Sequence, residues 1–295
     1  MNPLASLITP VYNAKLYLPR FLKGVIEQTY RPLEFFAVDD GSTDGSLELL
    51  QEMAPTLQAA GITFSLLHSP HAGPAGAINV ALKQVNGDYL TWCDDDDLLL
   101  PGSIEERVTF LQNNPSLGFV RSNGLVFNGD TEQRICSIAR PEEQATQFIF
   151  DQLLRQTTYC YAGCYLVRTN LLRACYPDME IPVSMIGQNL QLLLPLASRG
   201  KCGFVPSVLH HYYPRSAGLS HAKRSFTQNL AHIDAFAALE NAVLPYCQCD
   251  QEHYRRVIEQ IRQEHIQMLR WSLILNVKGR LRRHESRDTD TTPSR

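Results

Sequence analysis

The 295-residue sequence predicts an α/β fold in which a mostly parallel β-sheet is flanked by helices. Short apolar segments alternate with segments whose apolar residues recur every three or four positions, which is typical of strands joined by crossover helices. Polar clusters directly follow three of the predicted strands. Hydrophobic residues make up 44% of the chain, so a substantial core can form.

Strands and helices alternate through the first hundred residues. The predicted strands are Leu4–Ile8, Leu33–Val38, Ile62–Leu67 and Tyr89–Cys93. The predicted helices are Ala14–Gln28, Gly45–Ala60, Gly73–Val85 and one that starts at Pro101-Gly102. We expect Ser42 or Thr43 to cap the second of these helices, because a hydroxyl oxygen can accept a hydrogen bond from the first turn.

The pattern is weaker after residue 117. The remaining predicted elements are strands at Leu117–Phe127 and Gly203–Tyr213, helices at Gln144–Leu154 and Gln188–Ser198, and helix from Ser225 to Arg283 with a break near Pro245–Asp250. The predicted organisation is therefore an α/β domain over 1–224, a helical C-terminal extension over 225–283 and a polar, disordered tail over 284–295.

Charge and cysteine content exclude some classes of function. A formal net charge of -3 gives no basic surface for nucleic acid, so no nucleic-acid partner is expected. The eight cysteines are scattered rather than paired, which indicates a reducing compartment. No secretory signal and no apolar run of roughly 18 to 20 residues is evident. We therefore expect a cytoplasmic protein.

The three polar clusters are Tyr12-Asn13, Asp39-Asp40 and the run Asp94–Asp97. The carboxyl ends of parallel strands lie at one edge of a sheet, and ligands of such folds bind there. We therefore expect these clusters, which are distant in the sequence, to converge on one site.

Four consecutive aspartates repel one another unless their pKa values rise or a cation binds. In an extended segment Asp94 and Asp96 face one side and Asp95 and Asp97 the other. Carboxylate oxygens bind a hard divalent ion, which completes its coordination with substrate phosphates. The alternative is a solvated acidic loop, or a helix cap at Asp97. Asp39-Asp40 is either an ordinary turn or an acceptor for a nucleobase or ribose.

In combination these motifs resemble the family-two glycosyltransferases, which have the GT-A fold. The resembling motifs are Thr9-Pro10-Val11-Tyr12-Asn13, Val38-Asp39-Asp40-Gly41-Ser42-Thr43-Asp44, Gly73–Asn79, Asn86 through Asp97, and Pro101-Gly102. The resemblance covers roughly residues 4–110 and implies a Rossmann-like GT-A domain that binds a nucleotide diphosphate-sugar donor.

The resemblance also implies a role for each matching residue. Asp40 contacts the base, Asp39 supports it, and Pro10 and Tyr12 line the nucleoside pocket. Asp94 and Asp96 hold Mn²⁺ or Mg²⁺ and the diphosphate, and Asp95 lies near the sugar or ribose. The further candidates for donor binding are Asn13, Asn79 and Arg215. Members of the family usually invert the anomeric centre by direct displacement.

The sequence departs from the family pattern in the region that activates the acceptor. Many members carry Glu-Asp there, with Asp as the general base, whereas this chain has Gln188-Asn189 after Gly187. A neutral amide orients a hydroxyl but cannot take its proton. Asp178 and Glu180, shortly before this motif, are candidate substitute bases.

Two other departures concern cations and histidine. Ile78 stands where many members carry Arg or Lys before the metal strand. The histidine often found near the end of the domain has no clear match; the nearby alternatives are Arg215, His210, His211, His221 and Lys223.

Residues 268–283 mix apolar residues, Trp271 and five basic residues. Such a helix either packs on the domain with a solvated basic edge or lies on an anionic membrane. The second alternative predicts a peripheral position at the inner face of the membrane and favours a lipid-linked acceptor.

Three functions are therefore compared. The favoured function is transfer of a sugar, preferably from a UDP-sugar, to a glycan or lipid-linked acceptor. Among these acceptors, the growing glycan of a cell-surface polysaccharide is favoured. The second is a non-catalytic nucleotide-sugar-binding or assembly protein, which the missing Glu-Asp pair favours. The third is a nucleotidyltransferase, which the lack of a glycine-rich basic phosphate loop disfavours.

Overall fold

The computed structural model describes residues 2–129, 131–214 and 224–288, with side chains in the last helix as far as Ser272. The strands are β1 Ala5–Val11, β2 Leu33–Asp39, β3 Ile62–His68, β4 Tyr89–Trp92, β5 Leu98–Leu99, β6 Leu117–Phe127, β7 Arg134–Ser137, β8 Tyr165–Arg168 and β9 Lys201–Tyr212. The helices are α1 Leu18–Ile26, α2 Ser46–Ala59, α3 Gly73–Leu82, α4 Ser103–Asn113, α5 Phe150–Leu154, α6 Thr169–Cys175, α7 Gln188–Arg199, α8 Phe226–Val243 and α9 Gln251–Asp288.

The strands of the described residues form one sheet in the order β3-β2-β1-β4-β8-β6-β9-β5, with β7 paired to β6. β1 pairs in parallel with β2 and β4, and β2 pairs in parallel with β3. β8 is antiparallel to β4 and β6, whereas β9 is parallel to β6. The mostly parallel sheet predicted from the sequence is therefore confirmed. Strand order reverses between β1 and β4, which is where sheets of this kind bind ligands.

Helices cover both faces of the sheet, because successive side chains of each strand point to opposite faces. In β2, Phe35 packs into an apolar cluster with α1, α2 and α4. The next residue, Phe36, packs into a second cluster with α3, α6 and α7. The site described below lies at the edge of the sheet between these two layers.

The C-terminal helices α8 and α9 join the second cluster through residues such as Val243 and Ile258. The extension predicted over 225–283 therefore shares its core with α7. Helix α9 continues through Gly279 to Asp288, past residue 284 where the predicted tail begins, and residues 289–295 lie outside the described part. None of the helices in the described part combines the length and apolar composition that a membrane span requires.

Two helix starts differ from the sequence prediction. Neither Ser42 nor Thr43 caps α2: the N-cap is Gly45, with φ 93°, and it makes no side-chain capping bond. The two hydroxyl residues instead belong to the turn after β2. Helix α4 begins at Ser103 after Gly102, whose φ of 78° is left-handed, so Pro101 precedes the helix rather than occupying its first turn.

The predicted helix Gln144–Leu154 is mostly absent, and only α5 forms. The carbonyl of Glu143 accepts a hydrogen bond of 2.6 Å from the buried Arg121, and the carbonyl of Gln147 accepts one of 2.8 Å from the Cys202 amide. Both carbonyls are thus engaged by β6 and β9 and are diverted from helical bonds, which a local sequence pattern cannot anticipate.

Candidate active site

Hydrogen bonds join the three polar clusters at the carboxyl ends of β1, β2 and β4. The Asp40 amide donates to the Val11 carbonyl at 2.8 Å, which places the end of β2 beside the end of β1. The Tyr12 amide donates to Asp95 Oδ2 at 3.2 Å, which joins β1 to the aspartate run after β4. The predicted convergence of these clusters on one edge of the sheet is therefore observed.

The Asp39-Asp40 turn is buried, with Asp40 only 3% exposed. The two Asp40 carboxylate oxygens accept hydrogen bonds of 2.9 Å from the Ala72 and Gly73 amides at the start of α3. Backbone amides at a helix N-terminus stabilise a negative charge. Each oxygen still has a second lone pair, so the contact between Asp40 and a base stays a prediction.

An aromatic pair lies open to solvent beside Asp40. Tyr12 is 45% exposed, and its ring lies 4.6 Å from that of His71. His71 has a φ of 57°, and its Nδ1 lies 2.9 Å from the Asp40 carbonyl oxygen. These contacts fix the His71 ring above the turn, tilted by 36° to the Tyr12 ring, and the exposed face of Tyr12 is one on which a planar ligand can stack. The sequence analysis did not identify His71.

Burial alternates along the aspartate run, although the run follows β4 as a turn, in which the Asp97 amide donates to the Asp94 carbonyl at 3.4 Å. Asp95 and Asp97 are buried, whereas Asp94 and Asp96 are partly exposed. Asp97 Oδ1 accepts a hydrogen bond of 3.1 Å from the Tyr213 amide, which attaches the end of β9 to the run. Two partly exposed carboxylates on one side of a turn suit Mg²⁺ or Mn²⁺, because these ions keep coordination positions for water and phosphate. The residues therefore fit the predicted ion.

A second group of metal-binding residue types lies deeper. Cys93, Asp97 and His210 are buried, and their donor atoms lie within 4.8 Å of one another. Burial, and then the nearby Arg107 guanidinium, lower the pKa of His210 to about 3, so its ring is neutral at pH 7. Sulfur, nitrogen and oxygen donors together suit zinc better than Mg²⁺ or Mn²⁺. The Asp94 and Asp96 pair remains the better match to the ion that the resemblance implies.

Arg20 on α1 connects the aspartate run to the end of β9. Its guanidinium donates a hydrogen bond of 2.5 Å to the Asp96 carbonyl and lies 3.6 Å from the centre of the Tyr213 ring. It also forms an ion pair of 3.3 Å with Glu132. Arg20 therefore holds the backbone of a predicted metal ligand in place. The sequence analysis missed it because the helical pattern of α1 marks only the apolar residues.

Helix α7 begins at Gln188, after Gly187 with a φ of 71°. Trp92 Nε1 donates a hydrogen bond of 2.8 Å to Asn189 Oδ1. Trp92 is the last residue of β4 and precedes Asp94 by two residues. Gln188-Asn189 thus lies beside the aspartate run, and Trp92 is a further site residue that sequence reasoning missed.

The loop before α7 also reaches the start of α3. Met185 Sδ packs so closely on Gly73 that a Cβ atom at residue 73 would meet it at 2.7 Å. Val183 and Met185 are both more than half exposed. This loop therefore lies against the start of α3, next to the Ala72 and Gly73 amides that bind Asp40.

The structure gives different roles to two predicted donor-binding residues. Asn79 binds both polar groups of the Ile181 backbone at 2.8 Å, so its side chain anchors a loop, and its contact with the donor stays a prediction. Asn13 has a φ of 48°, and its Oδ1 accepts a hydrogen bond of 2.8 Å from the Thr43 amide. It holds the turn after β2, and only its Nδ2 is left for a ligand. Pro10 pairs in register with Val38 near the end of β1.

The placement of Glu180 argues against a general base there. Glu180 pairs with Lys83 at 2.9 Å, directly after α3. Asp40, in contrast, binds the start of the same ten-residue helix. Ten helical residues span about 15 Å. Glu180 therefore lies at the opposite end of α3 from Asp40, and Asp178 lines the same cavity of about 260 Å³ as Glu180.

The remaining candidates have separate outcomes. Arg215, His221 and Lys223 lie outside the described residues. His210 is in the buried group with Cys93 and Asp97, and His211 packs against Phe127 at 4.6 Å. Two residues of the segment that was predicted to bind a membrane, Met268 and Trp271, are both about 60% exposed.

Comparison with curated proteins finds relatives that are named as glycosyltransferases. A Haemophilus influenzae protein named as an uncharacterized glycosyltransferase is 35% identical over 112 residues, which are 38% of this chain and 44% of that protein. The chain thus spans less than half the length of this relative. EpsE of Bacillus subtilis, named as a glycosyltransferase, is 25% identical over 84% of this chain and 82% of its own.

Solved structures of low sequence identity have the same fold. TarS 1-349 of S. aureus, in complex with UDP-GlcNAc, aligns with a TM-score of 0.61 at 18% identity over 89% of this chain and 71% of its own. The mannosyltransferase PcManGT of Pyrobaculum calidifontis, in complex with GDP-Man and Mn²⁺, aligns with a TM-score of 0.60 at 16% identity over 94% and 76%.

The family model described as glycosyl transferase family 2 matches residues 6–175, which is more than half of the chain and includes β1, β2 and β4 with their polar ends. The fold, the converging motifs and this match agree: the chain belongs to glycosyl transferase family 2.

Proposed function

We propose that this glycosyltransferase transfers a sugar from a nucleoside diphosphate-sugar, with a UDP-sugar favoured, with inversion and with the help of Mn²⁺ or Mg²⁺. The observation that carries the proposal is the convergence of Tyr12, Asp40, Asp94 and Asp96 at the ends of β1, β2 and β4. We call these four residues the donor rim.

Each part of the donor rim suits one part of such a donor. The exposed faces of Tyr12 and His71 can stack on a nucleobase, and the remaining lone pairs of Asp40 can accept its N–H group. Asp94 and Asp96 would hold the cation beside the diphosphate, with Asp95 close by. The bound ion would neutralise the charge that develops on the departing diphosphate.

Two structural neighbours support this choice of donor class. TarS is described in complex with UDP-GlcNAc, and PcManGT in complex with GDP-Man and Mn²⁺. Both ligands are nucleoside diphosphate-sugars, although they differ in base and sugar. A donor panel must therefore include both bases.

For the acceptor, we propose a growing glycan of a cell-surface polysaccharide or a lipid-linked glycan. The site of action proposed is the cytoplasmic side of the membrane, with peripheral contact through residues 268–283. Exposure of Met268 and Trp271 on α9 supports this contact, because both side chains can enter a lipid interface.

The test is release of UDP or GDP from a panel of UDP- and GDP-sugars with and without Mn²⁺. We compare the native chain with Asp96→Ala and with the matched control Asp178→Ala, which removes an exposed aspartate at the far end of α3. Metal-dependent release that Asp96→Ala abolishes and Asp178→Ala retains is the expected result. Equal activity of all three proteins would contradict the proposal.

The amide at Asn189 favours a second candidate, a binding protein without turnover, because Asn189 cannot act as a base. Calorimetric titration with the same panel separates the two functions. Metal-dependent donor binding without nucleotide release, even with crude membrane acceptors, would identify the non-catalytic protein.

A further inference from the structure

Cys93, Asp97 and His210 form a cluster beneath the aspartate run, which we call the inner cluster. All three residues are 0% exposed, and their sulfur, oxygen and nitrogen donor atoms lie within 4.8 Å of one another. The same residue types occur in nucleophilic catalysis, but a thiol that is enclosed on all sides cannot reach a substrate. Coordination of a metal ion is chemistry that an enclosed set of these side chains can perform.

His210 is the member whose burial needs an explanation. Within the described residues, neither of its ring nitrogens makes a hydrogen bond. A neutral imidazole has one N–H donor and one nitrogen acceptor, and leaving such groups unsatisfied in a protein interior is costly. Nε2 lies 3.2 Å from Asp97 Oδ2, but without the alignment of a hydrogen bond. An ion bound to both atoms would give the buried nitrogen a partner.

The separation of these two atoms matches that of two ligands of one zinc ion. Zinc binds nitrogen at about 2.0 to 2.1 Å and carboxylate oxygen at about 2.0 to 2.2 Å in tetrahedral geometry, so such ligands lie about 3.3 to 3.5 Å apart. A Cβ atom at Gly163 would lie 2.2 Å from His210 Nδ1 and 3.0 Å from Cys93 Sγ. Glycine at this position therefore lets the imidazole and the thiol lie side by side.

We propose that the inner cluster binds one Zn²⁺ ion through Cys93 Sγ, Asp97 Oδ2 and His210 Nε2, in addition to the ion of the donor rim. Sulfur and imidazole ligands favour zinc over Mg²⁺ and Mn²⁺, which prefer oxygen. The charges balance, because a thiolate and a carboxylate together neutralise Zn²⁺ and the imidazole is neutral.

The cysteine becomes a thiolate only with the ion. Burial, and then the Asp97 carboxylate, raise the pKa of Cys93 well above its usual value, so without a cation the group is a thiol. A thiol that coordinates a metal ion is deprotonated. Binding therefore exchanges the thiol proton for Zn²⁺, and no oxidant or reductant takes part.

The ion would join three segments of the chain. Cys93 directly follows β4, Asp97 ends the aspartate run and His210 belongs to β9. The other oxygen of Asp97 accepts the hydrogen bond from the Tyr213 amide, and the Tyr213 ring lies against Arg20. Because its ligands are enclosed, this zinc has a structural role: it fixes the aspartate run from within the fold. Zinc binding requires no sugar donor, so it is testable independently of glycosyl transfer.

The first experiment measures zinc in the full chain, purified without a polyhistidine tag. Elemental analysis should find about one Zn²⁺ per chain, and its removal by a chelator should lower Tm, because binding to the folded state alone stabilises that state. Zn²⁺ should restore Tm and Mn²⁺ should not. Co²⁺ added to the stripped protein should give the charge-transfer absorption of a cobalt–thiolate bond. Absence of this absorption overturns the inference without the need for any variant.

Variants locate the ion. Cys93→Ala and His210→Gln should each weaken zinc binding more than about 100-fold in competition with a chromophoric chelator, since even a residue that only supports a ligand contributes about 10- to 100-fold. Cys164→Ala, which removes another fully buried cysteine, should keep the ion. Asp96→Ala should also keep it while nucleotide release is lost. Zinc that Asp96→Ala loses and Cys93→Ala retains would belong to the donor rim and would overturn the inference.

Discussion

The donor rim differs in chemistry from the start of α7, Gly187, Gln188 and Asn189, which we call the acceptor edge and which is bonded to Trp92 at the end of β4. The donor rim contains carboxylates, and the strand ends that carry it are joined by hydrogen bonds from the Tyr12 amide to Asp95 and from the Asp40 amide to Val11. The acceptor edge contains a glycine and two amides at the start of a helix, and a single side-chain bond attaches it to β4. One region is suited to a cation and a diphosphate, and the other donates hydrogen bonds without accepting a proton.

This difference separates the two halves of the reaction. Under the proposed function, binding and departure of a nucleoside diphosphate would depend on the donor rim, and choice of the acceptor would depend on the acceptor edge. Substitutions in one region should therefore leave the kinetic constants of the other region unchanged, which makes the comparison testable.

After Asp96→Ala, which should abolish nucleotide release, the largest effect is expected for Tyr12→Ala in the donor rim. Loss of a stacked ring costs about 1 to 3 kcal/mol per base, so the donor Kd should rise about 5- to 100-fold while acceptor KM stays constant. Calorimetric titration with the nucleoside diphosphate measures this. Tyr12→Phe keeps the ring and serves as the control, and an unchanged Kd in Tyr12→Ala would remove Tyr12 from the donor rim.

The next effect is expected for Arg20→Met, which removes the bond to the Asp96 carbonyl and the stacking on Tyr213. The concentration of Mn²⁺ for half-maximal activity should rise about 10-fold, because a hydrogen bond from a charged group contributes about 1.5 to 3 kcal/mol. Arg20→Lys keeps the charge but loses the planar stacking and should be intermediate. Lys23→Met, an exposed substitution on the same helix, should not change the metal requirement.

A smaller effect is expected for Trp92→Phe, which deletes the N–H that orients Asn189. One hydrogen bond contributes about 1 kcal/mol, so kcat/KM for the acceptor should fall about 5-fold while donor Kd is unchanged. The chain has a second tryptophan, the exposed Trp271, and Trp271→Phe is the matched control. A donor Kd that changes as much as the acceptor constant would show that the two regions are not separable.

The smallest effect on activity is expected at Glu240, a buried carboxyl on α8 outside both regions. Burial raises its pKa from 4.5 to about 8. Between these values the folded protein holds a proton that the unfolded chain lacks, so this stabilisation is complete below pH 4.5 and is lost as pH rises through 8.

Glu240→Gln should remove this contribution, which has a slope of at most about 1.4 kcal/mol per pH unit. Urea unfolding at pH 5, 6.5 and 8 measures it, with the exposed Glu264→Gln as the control. An unchanged pH dependence of the free energy of unfolding in Glu240→Gln would contradict the assignment. Transfer rates should be equal in all three proteins.

The fold and the donor rim were predictable because their signals are local. Each strand of the first half is a short apolar run, and each of the three polar clusters directly follows such a run. The parallel arrangement of these strands is enough to bring the clusters together at one edge of the sheet. The alternation of Asp94 to Asp97 was predicted for an extended segment; the structure has the same alternation of burial, but in a turn after β4.

The sequence did not predict contacts in which a partner distant along the chain takes over a polar group. Asn79 matches its motif, but the Ile181 backbone, 102 residues later, occupies both ends of its amide. The helix expected at Gln144 is interrupted by contacts with Arg121 and Cys202. Glu180 is close to Asn189 in the sequence, yet the loop between them spans the length of α3.

The sequence by itself determined the α/β class, the succession of strands and helices along the first half of the chain, and the acidic residues of the donor rim. It could do so because strand period and turn chemistry act over a few residues. Tertiary structure alone decided which polar atoms remain available to a ligand. Asn189 presents its nitrogen because Trp92 occupies its oxygen, and Arg20 holds Asp96 because α1 packs beside the end of β9. Such pairings depend on the positions of whole elements, which no local pattern records.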